Sequence, residues 1–200
     1  HELLDLFPDL EVIGILADFT RHMEVLPPTR KLLFFFGSSL GNFTEAESHA
    51  WLESLARIMG PEDHLLLGLD MVKPSEILEA AYNDQKNVTC AFNLNVLNHL
   101  NRHLNADFDL NDFEHLAFYD PEKECIEMHL RARRAKRVKI ADLSLEVGFK
   151  EGETIHTETS QKFSREGATM RFKKAGLYPT DWYSDPQGWF SLVDLTADFS

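Results

Sequence analysis

The sequence predicts an α/β fold in which an open sheet is interrupted by a second, α+β lobe. Three observations carry this reading. Short apolar runs alternate with a helical segment over residues 1–73. Helical and then strand-like segments fill 74–162, and a helix with closing strands returns over 163–200. Alternating strand and helix signals point to an α/β sheet, whereas helices followed by a run of strands point to α+β structure.

The apolar runs are "EVIGILAD" (11–18), "KLLFFFG" (31–37) and "HLLLGLD" (64–70). Continuous runs of this length suit strands covered on both faces. Between the second and third, Thr44 followed by Glu47 makes a capping-box pattern. Trp51, Leu52, Leu55, Ile58 and Met59 then fall at helical spacing, and Gly60 and Pro61 end the helix. Residues 74–104 read as helical, with Phe92, Val96, Leu97, Leu100 and Leu104 on one face. "FEHLAFYDPEKECIEMHLRARR" (113–134) reads as two strands around a "DPEK" turn. "RVKIADLSLEV" and "ETIHTETSQKF" continue as extended segments. "SREGATMRFKKAGL" (164–177) opens at a serine cap and stops at Gly176. "YPTDWYSD" and "GWFSLVDLTAD" read as closing strands joined through Pro186, Gln187 and Gly188. These rejoin the first sheet, which makes the second lobe an insertion.

With 200 residues, 44% of them hydrophobic, the chain can bury a real core. Its formal net charge of -13 argues against nucleic acid as a partner. The one basic run, "RARRAKRVK" (131–139), reads as a hairpin or strand edge, where cations discourage edge-to-edge pairing. Cys90 and Cys125 make no disulfide framework and no CxxC, as expected for a reducing cytoplasm. No stretch is long and apolar enough to span a bilayer, and no signal peptide is evident, so no membrane role is expected. The chain opens without an initiator Met and runs directly into a strand. It reads as the carboxyl-terminal portion of a longer protein.

In an open α/β sheet, ligands sit at the carboxyl ends of the strands. Asp18, Gly37 and Asp70 end the three apolar runs. "ADF" (17–19) supplies a carboxylate for an exocyclic amine and a ring to cover a heterocycle; the plainer reading is a strand-end acid and a core Phe. In "GSSLGN" (37–42), glycine admits close backbone approach, and Ser38, Ser39 and Asn42 offer hydrogen bonds without charge; a plain loop before the Thr44 cap is the alternative. In "HTETSQKFSREG" (156–167), Glu158 and Ser160 share one side of an extended chain. A carboxylate and a hydroxyl together can bind both nitrogens of an imidazole, although solvated strands also alternate in this way. His99 and His103 have i, i+4 spacing but no HExxH and no acidic third ligand, so no metal is expected. There is no GxSxG, P-loop or catalytic cysteine setting.

Taken together, "ADF", "FFFGSSLGN", "LLLGLDMVK", "AAYND", "AFNLNVLNHLNRHLNADFD", "IEMHLRA", "TETSQKFSREG" and "GLYPTDWYSDPQGWFSL" resemble the histidine-specific S-adenosylmethionine-dependent methyltransferases. That family trimethylates the α-amine of L-histidine in ergothioneine biosynthesis. The likeness covers nearly the whole chain in the family's order. It implies a Rossmann-like methyltransferase sheet over 1–73 and 163–200, with its amino-terminal part missing, and an inserted substrate-binding lobe over 74–162. It implies S-adenosyl-L-methionine as cofactor and L-histidine as the small-molecule substrate. By resemblance, Asp18 and Phe19 contact the adenine, and Gly37, with Ser39 beside it, borders the transferring methyl and the substrate amine. Asn42 and Tyr82 hold the carboxylate end. Glu158 and Ser160 bind the imidazole, and Met128 packs against it. No general base is identified.

Two departures stand out. Ser38-Ser39-Leu40 has Ser and Leu where the family often has Thr and Ile. The family's glycine-rich loop and ribose-holding acid do not precede "EVIGILAD", so these 200 residues are expected to lack much of the cofactor site. Two other readings stay open: a methyltransferase for another aromatic amino acid, and a non-catalytic α/β binding module. The Glu158/Ser160 pair favours imidazole over indole, which has one donor and no acceptor.

Overall fold

A computed structural model describes residues 5–198. Residues 1–4 and 199–200 of the expected core stretches lie outside the described residues. The α/β class is the one observed. β1 (Leu32–Phe35) and β2 (His64–Asp70) run parallel, with Phe34 opposite Leu66. Between them runs α1 (Glu45–Ile58), which buries Trp51, Leu52 and Leu55. Its start follows from Thr44 and Glu47. The Thr44 hydroxyl accepts from the Glu47 amide at 3.2 Å, and the Glu47 carboxylate accepts from the Thr44 amide at 2.9 Å. Two amides that a helix start otherwise leaves unpaired are thereby satisfied.

The sheet is completed from far along the chain. β8 (Leu177–Ser184) and β9 (Phe190–Ala197) form a hairpin. β9 inserts antiparallel beside β2, giving the order β1-β2-β9-β8. The hairpin turn follows the expected Pro186–Gly188 stretch, with the Asp185 carboxylate accepting from the amides of Gln187 and Phe190. Before it lies α4 (Arg165–Lys174), capped by the Ser164 hydroxyl and followed by Gly176 at φ +79°.

Among the described residues, the strands are not covered on both faces. Leu65, Leu67 and Leu69 alternate along β2 and are buried against α1 and against Phe172 of α4. Leu32, Phe34 and Phe36 point the other way and are about half exposed, at 54%, 57% and 48%. Among the described residues, both helices that pack on this sheet lie on one side. Residues 11–18 correct a second expectation, since they form no strand. Ile13 is 73% exposed, and no described segment pairs with it. Apolar composition asks for burial, but a strand also needs a neighbour to accept its backbone hydrogen bonds.

Asp63, in the loop before β2, ties the starts of β1 and β2 together. Its buried carboxylate accepts from the Lys31 amide at 2.8 Å, the Lys31 ammonium at 2.5 Å and the Gly60 amide at 2.8 Å. Burial pushes this carboxyl up, but the Gly60 amide and both Lys31 donors outweigh it and hold it at about 2.

The middle of the chain builds a second sheet, β3 (Phe113–Asp120), β4 (Cys125–Ala132) and β7 (Thr154–Gln161), in that order. A separate hairpin joins β5 (Lys136–Ile140) to β6 (Leu145–Phe149). The helical stretch is two helices, α2 (Ser75–Tyr82) and α3 (Val88–Leu104). The break comes from Asp84, whose carboxylate accepts from the Val88 and Thr89 amides, and from Asn87 at φ +56°. The buried face of α3 also differs from the expected one. Leu97 is buried as foreseen, but Phe92 is 63% exposed. Asn93 is buried instead, donating to the His129 carbonyl at 3.0 Å.

The basic run falls at the end of β4, in the following turn and in β5. Arg131 and Arg133 pair with Glu114, Arg134 and Lys136 with Asp112, and Arg137 with Glu146. These cations are therefore largely neutralised within the fold. Both cysteines are free, and no helix among the described residues is long and apolar enough to cross a membrane.

Candidate active site

The two sheets meet where β7 ends. The Phe163 amide donates to the Asp70 carbonyl and the Val72 amide donates to the Phe163 carbonyl, each at 3.0 Å. This bridge extends the tip of β2 with residues from the other sheet. The end of β1 reaches the same place. The chain turns through Gly37 at φ +74° and Ser38 at φ +56° into a short 3-10 turn, Ser39–Asn42. Glycine takes such a φ without a Cβ penalty. The Ser38 hydroxyl accepts from the Asp70 amide at 2.9 Å, which locks this loop to the tip of β2.

Gly41 sets how closely the loop and β7 approach. A Cβ built there would lie 2.7 Å from the Gln161 carbonyl oxygen and 3.2 Å from its nitrogen. Gly41→Ala is therefore expected to push Asn42 away from β7 and to cost about 1–2 kcal/mol of stability, as overpacking does. Urea titration of the variant checks this; an unchanged midpoint would show that the contact is slack.

The resulting cleft is about 350 Å³. From the first sheet and its loop it takes Gly37, Ser38, Asn42 and Asp70, with Phe190 of β9. From the middle of the chain it takes Tyr82 at the end of α2, Glu158 and Ser160 of β7, and Lys162 just beyond. The polar groups are linked. The Tyr82 hydroxyl donates to Ser160 Oγ at 2.8 Å. The Lys162 ammonium donates to Tyr82 and to Ser160, each at 2.9 Å, and pairs with Asp70 at 2.8 Å. Burial pushes the Glu158 carboxyl up, and the Lys162 charge pulls it the other way.

Of the residues singled out in the sequence, Gly37, Asn42, Tyr82, Glu158 and Ser160 come together here. Ser39 does not line the cleft. Its hydroxyl turns back to the Phe36 carbonyl at 3.1 Å, and the left-handed backbone at Ser38 puts that serine on the wall instead. Met128 is buried behind the cleft, packed with Leu78, Ala117, Ile126 and Tyr82, and sits opposite Glu158 across the β4–β7 ladder. Asp18 closes a local turn by accepting from the Thr20 amide and hydroxyl. Phe19 is half exposed beside a separate apolar recess of about 310 Å³ that includes Ile15, Phe35 and Trp51. Neither Asp18 nor Phe19 lines the polar cleft.

The sequence reading missed Lys162, which is 1% exposed. Strand alternation already places it on the side of Glu158 and Ser160. It also missed a grouping outside the cleft. Glu127, His129 and His156 bring three ligand-type atoms within 4.8 Å of one another. Glu127 there is already bonded to His129 and to Lys123.

Comparison with known proteins identifies the family. Residues 1–197 match the model of the family described as histidine-specific methyltransferase, SAM-dependent. The histidine N-alpha-methyltransferase of Mycolicibacterium smegmatis is 46% identical over 187 residues, and that of Mycobacterium tuberculosis is 40% identical. Each alignment covers 93% of this chain, which spans 58% of the length of either relative. Among solved structures, the PH0226 protein from Pyrococcus horikoshii OT3 shares the fold. Its TM-score is 0.51 at 9% identity, covering 98% of this chain and 66% of that one. The chain belongs to the histidine-specific, S-adenosylmethionine-dependent methyltransferase family.

Proposed function

We propose that the protein carrying this chain transfers methyl groups from S-adenosyl-L-methionine to the α-amine of L-histidine, a step of ergothioneine biosynthesis in the cytoplasm. One observation carries the reading. Asn42, Tyr82, Glu158 and Ser160 converge on one cleft from a loop, a helix and a strand. Relatives at 40–46% identity bear the matching name. Residues 74–162 serve as the inserted substrate-binding lobe, and the sheet residues on either side serve as the methyltransferase core.

The residues present fit parts of the cofactor. Gly37 leaves the cleft wall without a side chain, and the recess beside Phe19 is apolar enough for a heterocycle. Gly37 and Phe19 would hold it, while Asp18, bonded to Thr20, lines neither the cleft nor the recess. When bound, S-adenosylmethionine supplies an electrophilic sulfonium methyl. The chain's own residues position the acceptor. Asn42 and Tyr82 orient the amino-acid end, while Glu158 and Ser160 fix the ring, so that the amine is presented in one pose. The amine must be neutral to attack; the N–C bond would form as the S–CH3 bond breaks. In the first two rounds one N–H proton is then released, whereas the third gives a quaternary ammonium with no proton to lose. Asn42, Ser38 and the Gly37 backbone are uncharged, and the Asp70 carboxylate beside them is paired with Lys73 and Lys162, so this wall does not hold the amine as a cation.

Incubation of the intact protein with S-adenosylmethionine and L-histidine tests the proposal. Mass spectrometry is expected to find histidine carrying one, two and three added methyl groups. Methylation of L-tryptophan with none of histidine would overturn it.

A further inference from the structure

Lys162 is the most deeply buried charged side chain of the cleft, and each of its three N–H bonds has an acceptor: Asp70 at 2.8 Å, Tyr82 at 2.9 Å and Ser160 at 2.9 Å. A serine hydroxyl has one O–H and two lone pairs. At Ser160 both lone pairs are taken, one by Lys162 and one by the Tyr82 hydroxyl. Tyr82 is the donor in that contact, a phenol being a stronger donor than an aliphatic hydroxyl. Ser160 therefore has only its O–H left to offer the cleft. Glu158, on the same face of β7, is a carboxylate and offers only acceptors when ionised.

We infer that Lys162 is a positioning residue that makes Ser160 a pure donor, so that the site selects a ring with one N–H and one unprotonated nitrogen: neutral imidazole, with its N–H on Glu158 and its bare nitrogen on Ser160. This rests on the proposed histidine substrate. An imidazolium would bring a second N–H to an oxygen with no free lone pair, 2.9 Å from an ammonium. The titratable groups facing the ring are Glu158, Tyr82, Lys162 and Asp70, the last also paired with Lys73.

The test compares L-histidine with 1,2,4-triazole-3-alanine, whose ring stays neutral across the range, so that titration of the protein's own groups affects both ligands. Calorimetry on the intact protein at pH 7.0 and 5.5 is expected to show histidine affinity falling about four- to eightfold relative to the triazole, from an imidazole pKa of about 6–6.5. In Lys162→Met that relative loss should shrink below about twofold, and in Lys162→Arg it should persist. Equal relative losses in parent and Lys162→Met would overturn the inference. Should Lys162→Met fail to fold, ring-15N histidine bound to the parent protein at pH 6.0 decides. One protonated and one bare nitrogen supports the inference, and two protonated nitrogens overturns it. Failure of the parent to bind histidine at any pH would instead count against the proposed substrate.

Discussion

Replacing Glu158 with alanine is expected to weaken L-histidine binding by the intact protein about 10- to 150-fold. This corresponds to the roughly 1.5–3 kcal/mol of a hydrogen bond to a charged group. The carboxylate has no hydrogen-bond donor among the described residues, so a ligand would be its partner. The isosteric Glu158→Gln separates binding from folding. Burial raises this carboxyl above its ordinary value, with Lys162 opposing. A raised carboxyl contributes stability that is present below the ordinary value of 4.5 and lost as the pH rises through the raised one. At neutral pH the ionised group therefore strains the fold, and Glu158→Gln should melt higher than the parent at pH 7, with the gap closing by pH 4. Unchanged histidine affinity in Glu158→Ala would remove the ring assignment.

Asp63→Ala is expected to lose about 3–5 kcal/mol of stability, the range for stripping one partner from a buried ion pair. Lys31, whose side chain is 12% exposed, would lose its counterion, and the amides of Lys31 and Gly60 would lose their acceptor. The sign of the pH dependence is opposite to that of Glu158. This carboxyl is held down, so its contribution is present above 3.8 and fades as the pH falls through about 2. Urea titrations should show a large gap between parent and variant at pH 7 that narrows from pH 4 toward pH 2. Equal midpoints at pH 7 would mean that the pair contributes nothing.

Local signals were read well wherever a local cause produced the element. The capping box at Thr44, the serine cap of α4, the stop at Gly176 and the turn after Asp185 all rest on residues a few positions apart. The resemblance singled out Asn42, Tyr82, Glu158 and Ser160, which spacing alone left ambiguous and which line one cleft. What could not be read depended on distant partners. The run 11–18 looks like a strand, but pairing decides whether it is one. Lys162 looks like a surface lysine until Asp70, on another sheet, supplies its counterion. The choice between Ser38 and Ser39 turned on one backbone angle within the loop.

The interior place of β9 has a consequence for synthesis. β2 takes its antiparallel neighbour from residues some 120 positions further along, with Asp70 opposite Phe190. At ordinary ribosomal speeds that is a wait of roughly 6–24 s with one flank of β2 open. The β3–β4–β7 ladder needs no residue later than Gln161, so it can assemble during the wait. The nascent chain thus acquires its lobe first and closes its main sheet late, a slow step imposed by the long separation between contacting strands.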